Sequence, residues 1–293
     1  MRVEQIGNAT LYLGKMEETI DGIQQVDHIL ADPPYLYIKT HDFDKGFDEQ
    51  LFFRNAKRFL PDDGFIALFG RGTSFYRWNT RLADLGFIFK EEIVWDKRRP
   101  SSPCLALSRI HETISLHTKK TGKIRRSKVP YVEQKQYDID SIADDIKRIK
   151  TAVKTDAGLN TVLAFLHGKR VYTQVNNGGL GMVAPAAFKK VPDEVSRLQK
   201  IKDGMREKTI IEISSVYKNV VHPTQKPVRL AERILALISD PGDTIYDPFM
   251  GSGSFAVACI STGRKYVGSE EKPEYLNIAC KRIEEAVKHY EQT

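Results

Sequence analysis

A chain of 293 residues, 41% hydrophobic and 28% charged, has an ordinary globular composition and is long enough for one large α/β domain with an inserted module, or for two domains. It has no run of about 18 apolar residues, its opening MRVEQIGNAT lacks an apolar signal core, and Cys104, Cys259 and Cys280 are too widely spaced for a metal pattern. The expectation is therefore a cytoplasmic protein with core thiols, no membrane partner and no metal. The net charge of +7 is unevenly placed: residues 97–215 hold 24 basic and 12 acidic residues, a net of +12, against 21 and 26, a net of −5, elsewhere. A basic region of this kind suits phosphate neutralisation, and equally a solvated surface.

In chain order, short apolar runs predict strands over 10–14 and 27–31, followed by an amphipathic helix over 49–59 and a strand over 65–70. Runs 89–95 and 113–118, joined through RRPSSP, predict an antiparallel hairpin at a sheet edge. The alternation then stops. Within 119–215, Ile139, Ile142, Ile146, Ile149 and Val153 recur at spacings of three and four, which predicts one helix over 137–154. Its apolar stripe suits packing on its own domain or a homodimer seam. The polar stretch 176–181 reads as a loop. Alternation resumes with a helix over 227–238, a strand over 244–247, a glycine turn, a helix, a strand over 265–269 and a helix over 273–288. Strands alternating with helices predict a doubly wound, mostly parallel sheet.

Three motifs carry chemistry. Asp32-Pro33-Pro34-Tyr35 directly follows a strand. The prolines restrict the turn, so an acid, a carbonyl and an aromatic ring are held together. An exocyclic base amine is a poor nucleophile because its lone pair is conjugated into the ring. Asp32 and the Pro33 carbonyl could accept its two hydrogens and free that lone pair, while Tyr35 stacks on an extruded base. A plain proline-rich turn reads the same residues more blandly. The second motif is Asp247-Pro248-Phe249-Met250-Gly251-Ser252-Gly253-Ser254, a strand, a glycine turn and a helix start. Its glycines allow close backbone approach and the helix start favours an anion. Asp247 suits a ligand ammonium. Glu270, at the end of the next strand, is placed for ribose hydroxyls, with Glu271 the poorer candidate. The third motif, His222-Pro223-Thr224-Gln225-Lys226-Pro227, opens a helix in its first turn.

In this order the pieces DPPY, HPTQKP, DPFMGSGS and YVGSEEKPEYLNIACKRI resemble the β-type DNA adenine-N6 and cytosine-N4 methyltransferases, over residues 1–118 and 216–293. The resemblance implies a circularly permuted seven-stranded methyltransferase sheet. Residues 1–118 would form its catalytic half, 119–215 a largely helical target-recognition insert, and 216–293 its cofactor half. Strand 10–14 would lie beside 265–269, and 27–31 beside 244–247. It also implies S-adenosyl-L-methionine as cofactor, held by Asp247, Phe249, Gly251, Ser252, Gly253, Ser254, Glu270, His222, Thr224 and Lys226, with Asp32, Pro33, Pro34 and Tyr35 catalytic. The expected reaction is direct methyl transfer to the exocyclic amine of a flipped base in double-stranded DNA, most readily adenine N6, as in restriction-modification. Arg98, Arg99, Arg125, Arg126, Lys128, Lys169 and Arg170 are the expected phosphate contacts, and enzymes of this type often pair as homodimers. Ser254 stands where the family usually has Thr, and Gly14-Lys15 where many members have Gly-Asp. Alternatives are cytosine N4, RNA or protein glutamine as substrate, and a binding protein without activity.

Overall fold

Side-chain alternation builds the sheet. In the strand Phe65–Gly70, Phe65, Ala67 and Phe69 enter one apolar layer and Ile66 and Leu68 the other; Leu30 and its neighbours Ile29 and Ala31 divide the same way. The computed structural model describes residues 2–35, 46–99, 106–167, 173–175, 188–190, 192–216, 221–222 and 225–292. Among them the chain forms two compact units, Met1–Arg126 with Lys208–Thr293, and Ser127–Glu207.

The first unit is a helix–sheet–helix sandwich. Across its sheet the strands run Val3–Ile6, Ala9–Leu13, Lys265–Glu270, Thr244–Asp247, His28–Ala31, Phe65–Gly70, His111–Thr118, Ile88–Asp96 and Ile210–Glu212. Ala9–Leu13 through Phe65–Gly70 are mutually parallel, and His111–Thr118 runs against its neighbours. Helices Val228–Ile238, Ser254–Ser261 and Pro273–Glu291 cover one face. Glu49–Phe59 and Gly72–Asp84 cover the other. Glu49–Phe59 shows why such segments are helical. Asp48 caps it by accepting the Leu51 amide at 2.8 Å, and Phe52, Phe53, Ala56 and Phe59 form its buried stripe.

Both neighbour relations expected at the sheet centre are present, Ala9–Leu13 beside Lys265–Glu270 and His28–Ala31 beside Thr244–Asp247. The sheet has nine strands rather than seven because a strand is added at each edge. One of these corrects the hairpin expectation. Ile88–Asp96 and His111–Thr118 do pair antiparallel, but Ile210–Glu212 covers Ile88–Asp96 in parallel, so the hairpin is not the edge.

The insert is shorter than 119–215. The amides of Lys119, Lys120 and Thr121 donate to the Gly64 and Asp62 carbonyls, and that of Arg125 donates to Leu237, which ties this stretch to the sheet unit. The charge divides accordingly: residues 97–126, in the sheet unit, hold nine basic and one acidic residue, whereas 127–207 hold 14 and 10.

The second unit packs helices Ile139–Val153, Asp156–Leu166 and Asp193–Asp203 around a buried acid. Asp145 accepts from Tyr131 at 2.7 Å and pairs with Lys135 at 2.9 Å and with Arg197. Of the predicted stripe, Ile142, Ile149 and Val153 are partly covered, while Ile139 and Ile146 are 73% and 54% exposed. No helix among the described residues is long and apolar enough to cross a membrane.

Candidate active site

The register brings the two principal motifs to one place. Tyr246 pairs with Ile29 and Asp247 with Gly268, so Asp32, Phe249 and Glu270 emerge at the same level from three neighbouring parallel strands. The strand order reverses here, and the crevice at such a point is where open α/β sheets bind ligands.

At one end stands a buried charge network. Asp32 Oδ1 accepts the Tyr35 hydroxyl at 2.7 Å, and Oδ2 accepts Lys226 Nζ at 2.6 Å. Glu112 Oε2 lies 3.3 Å from both the Tyr35 hydroxyl and Lys226 Nζ, and its Oε1 accepts Lys97 Nζ at 3.2 Å. The side chains of Asp32, Glu112, Lys97 and Lys226 are 15%, 13%, 8% and 7% exposed, so each charge depends on the others for solvation. Two acids and two ammonium groups leave the cluster neutral. Burial pushes the Asp32 carboxyl up, against the pull of Lys226. Burial acts the same way on Glu112, but Lys226 and Lys97 together hold it below the usual carboxylate range. The Lys226 ammonium loses by burial and gains more from its two acids, so it stays charged. Pro33 is buried, and Ser74 fastens the turn by donating to the Tyr35 carbonyl at 2.9 Å.

At the other end the glycine turn is braced from three sides. Gly251 and Gly253 have φ of 55° and 77°. A Cβ on Gly253 would lie 2.9 Å from that of Ala279, so glycine is required both by backbone and by the close approach of the Pro273–Glu291 helix. Glu270 Oε2 accepts the Gly251 amide at 2.8 Å, and Oε1 accepts the Lys272 amide at 2.9 Å. Arg282 donates to the Ser252 carbonyl at 2.6 Å, to its hydroxyl at 2.9 Å and to the Ser254 hydroxyl at 3.3 Å. Phe249 packs edge-on against Phe47 at 4.9 Å and Phe52 at 5.9 Å, the same apolar layer that receives Tyr35 through Trp78. His222 stands edge-on to Tyr275 at 4.3 Å and beside Gly251. Burial and the nearby Lys226 and Lys272 push its imidazole down to about 4, so it is neutral at neutral pH.

Several expected roles change. Lys226, expected among the cofactor residues, is tied to Asp32 and Glu112 at the Asp32 end of the site. Asp247 is fully buried and already accepts from Tyr266 at 2.8 Å and from the Phe249 amide at 3.0 Å. It is not displayed to a ligand ammonium; it holds the turn, and burial pushes its carboxyl up to about 7. Arg125 makes a two-pronged pair with Asp240, at 2.6 and 2.9 Å. Asp240 precedes the Thr244–Asp247 strand, so Arg125 lies at the amino ends of the parallel strands, opposite Asp32. Lys128 belongs to the second unit, where it pairs with Asp203 at 3.4 Å. Arg126 is exposed. Arg98 and Arg99 are exposed just past Ile88–Asp96, at the same edge as Asp32, and Arg98 reaches Glu212 at 3.2 Å. Thr224, Lys169, Arg170 and the 176–181 loop lie outside the described residues.

The chain matches the family described as DNA methylase over residues 26–281. It belongs to the DNA methylase family. It is 27% identical to the type II methyltransferase M2.DpnII of Streptococcus pneumoniae over 93% of this chain and 86% of that protein. It is also 37% identical to the DNA adenine methyltransferase YhdJ of Escherichia coli (strain K12), over 36% of this chain and 32% of that one. Its fold is similar to that of M1.HpyAVI solved as a complex with SAM, with a TM-score of 0.53 and 21% identity over 94% and 99% of the two chains.

Within this methylase, sequence reasoning missed Glu112, Lys97 and Arg282. The signal for Glu112 was a single acid opening an apolar strand, with Lys97 across the hairpin. Only the antiparallel direction of His111–Thr118 carries its first residues to the Asp32 edge.

Proposed function

We propose that this DNA methylase transfers a methyl group from S-adenosyl-L-methionine to the exocyclic amine of a base flipped from double-stranded DNA, and that the base is adenine, methylated at N6. The observation that carries the proposal is the meeting of Asp32 with the braced glycine turn at neighbouring strand ends. Adenine is favoured by Asp at the first motif position and by the named activity of the YhdJ relative.

The donor set fits the cofactor. Glu270 uses one lone pair of each oxygen on backbone amides, which leaves others for ribose hydroxyls. Phe249 offers an apolar wall, and the amino end of Ser254–Ser261 favours a carboxylate. When bound, the cofactor supplies an electrophilic methyl on a sulfonium. The protein's own part is orientation and hydrogen bonding. Asp32 and the Pro33 carbonyl accept the amine hydrogens, drawing the nitrogen toward tetrahedral geometry, and the Tyr35 ring stacks on the base. Asp32 need not be a strong base, because the amine proton can leave after the methyl has arrived.

DNA phosphates are held by the cations at the Asp32 edge: Arg98 and Arg99, with Arg71, which donates to the His111 carbonyl at 3.3 Å, and Arg109 before the same strand. The exposed Arg98–Glu212 pair costs little to exchange for a phosphate.

The test is incubation with duplex DNA and methyl-labelled cofactor, followed by digestion to nucleosides. Label in N6-methyl-2′-deoxyadenosine is expected. Label in N4-methyl-2′-deoxycytidine would transfer the reading to cytosine, and no incorporation would refute it. Asp32→Ala is expected to lower turnover by about 10²-fold or more, the scale of losing a transition-state hydrogen-bond partner.

A further inference from the structure

We propose that Glu112 is a positioning residue that takes over Tyr35 and Lys226 when Asp32 turns its carboxylate to the base amine. The inference rests on Asp32 as the amine acceptor and adds how that acceptor becomes available.

Both Asp32 oxygens are engaged in the structure, Oδ1 by the Tyr35 hydroxyl and Oδ2 by the Lys226 ammonium. Each oxygen keeps a second lone pair, so an arriving amine can share the carboxylate, but turning that carboxylate toward the base draws it away from both donors. A buried ammonium released without another acceptor would be left unpaired, at a cost of several kcal/mol. One atom can receive both donors. Glu112 Oε2 lies 3.3 Å from the Tyr35 hydroxyl and 3.3 Å from Lys226 Nζ, a few tenths of an ångström beyond a full hydrogen bond. Lys97 anchors the other Glu112 oxygen at 3.2 Å and steadies the carboxylate for the handover. No net charge moves, because the cluster holds two acids and two ammonium groups throughout. The grip of Lys226 and Lys97 on Glu112 keeps it ionised and able to accept at neutral pH.

The charged groups that face Asp32 are Lys226 before the Val228–Ile238 helix, Glu112 on the antiparallel strand, and Asp247 on the neighbouring parallel strand, with the Tyr35 hydroxyl beside them. Glu112 is one of the anions that disfavour ionisation of Asp32. Removing its charge eases that ionisation and leaves Lys226 to Asp32 alone.

The test is single-turnover methylation of duplex DNA across pH, with cofactor affinity measured separately by calorimetry. For Glu112→Gln the expected result is a rate at least about tenfold lower, cofactor affinity within twofold of wild type, and an acidic limb of the rate profile displaced to lower pH. For Glu112→Asp, which keeps the charge but withdraws the carboxylate by one methylene, the rate falls and the acidic limb stays. A purely structural role would lower stability and cofactor affinity together and scale the rate equally at every pH; that pattern overturns the proposal, as does a wild-type rate in Glu112→Gln. If Glu112→Gln does not fold, Glu112→Asp decides, and a wild-type rate there overturns the proposal. Asp32→Ala, which removes the acceptor outright, separates the two readings. A dead Asp32→Ala beside an unaffected Glu112 variant removes only the handover, whereas an active Asp32→Ala removes Asp32 as acceptor.

Discussion

Replacing Lys226 with Met removes the ammonium that two buried carboxylates share, and it does so at nearly constant volume. Asp32 loses a 2.6 Å partner and Glu112 a 3.3 Å one, although Lys97 continues to serve Glu112. Breaking a buried pair from one side costs about 3–5 kcal/mol. The loss must depend on pH, and the sign follows from Asp32. Burial already holds its folded carboxyl above the unfolded value, against the pull of Lys226. Without Lys226 it climbs further, so the folded state binds a proton that the unfolded chain has released. Stability then falls as pH rises from the unfolded carboxyl value, about 4, through the raised folded one. Lys226 itself is raised and does not titrate near neutrality. Trp78 and Trp95, the two tryptophans, are both buried in the sheet unit and report its unfolding in urea by fluorescence. We expect a deficit of about 3–5 kcal/mol at pH 8 that shrinks by at least about 1.4 kcal/mol at pH 5, the equivalent of one unit of displacement. A deficit identical at both pH values would refute the account of Asp32 as the group left uncompensated.

Three further outcomes test the other parts of the site. Gly253→Ala forces a side chain into a left-handed position with φ 77° and against Ala279, so a loss of about 1–2 kcal/mol before any overlap is expected in thermal unfolding, together with weaker cofactor binding. Glu270→Ala should weaken S-adenosyl-L-methionine binding by about 1.5–3 kcal/mol in calorimetry, the scale of hydrogen bonds to a charged group; unchanged affinity would point to Glu271 instead. Log affinity for DNA should fall linearly with log salt, and replacing Arg98, Arg99 and Arg109 with Gln should flatten the slope by up to about 3, at about 0.9 per phosphate. Arg125→Gln should leave that slope alone, and a slope change there would bring DNA to the amino ends of the strands.

The parallel core was legible because its strands are short apolar runs between amphipathic helices, and burial on both faces leaves that pattern little freedom. The edge strands were not. Ile210–Glu212 is three residues long, and it is a strand because Ile88–Asp96 offers it an open ladder. Local sequence does not contain that information. The site divided similarly. Asp32, Tyr35, Gly253 and Glu270 sit in contiguous motifs whose residue types reveal their use. Glu112 and Lys97 are single charges 15 positions apart in the chain, joined only by the pairing of a hairpin and by its orientation. Arg282 lay inside a recognised stretch, but what it grips, the Ser252 carbonyl, lies 30 residues earlier. Net charge was the least reliable guide. A sum of +12 across 97–215 merged cations at opposite ends of the strands with a second unit that contributes only +4 of it.

That separation bears on how DNA is held. The strand Phe65–Gly70 spans about 20 Å at about 3.3 Å per residue, and Asp32 leaves one end of the sheet while Arg125 is paired with Asp240 at the other. On the proposed reaction, a base delivered to Asp32 keeps its flanking phosphates on the side of the strand carboxyl ends, where Arg71, Arg98, Arg99 and Arg109 lie. Cations at the amino ends cannot reach those phosphates without crossing the sheet. Flipping costs a few kcal/mol, and contacts offset it only if they form on the flipped nucleotide's side. The salt slope therefore separates two arrangements that total charge cannot, because both edges add equally to the sum and only one adds to the grip on the extruded strand.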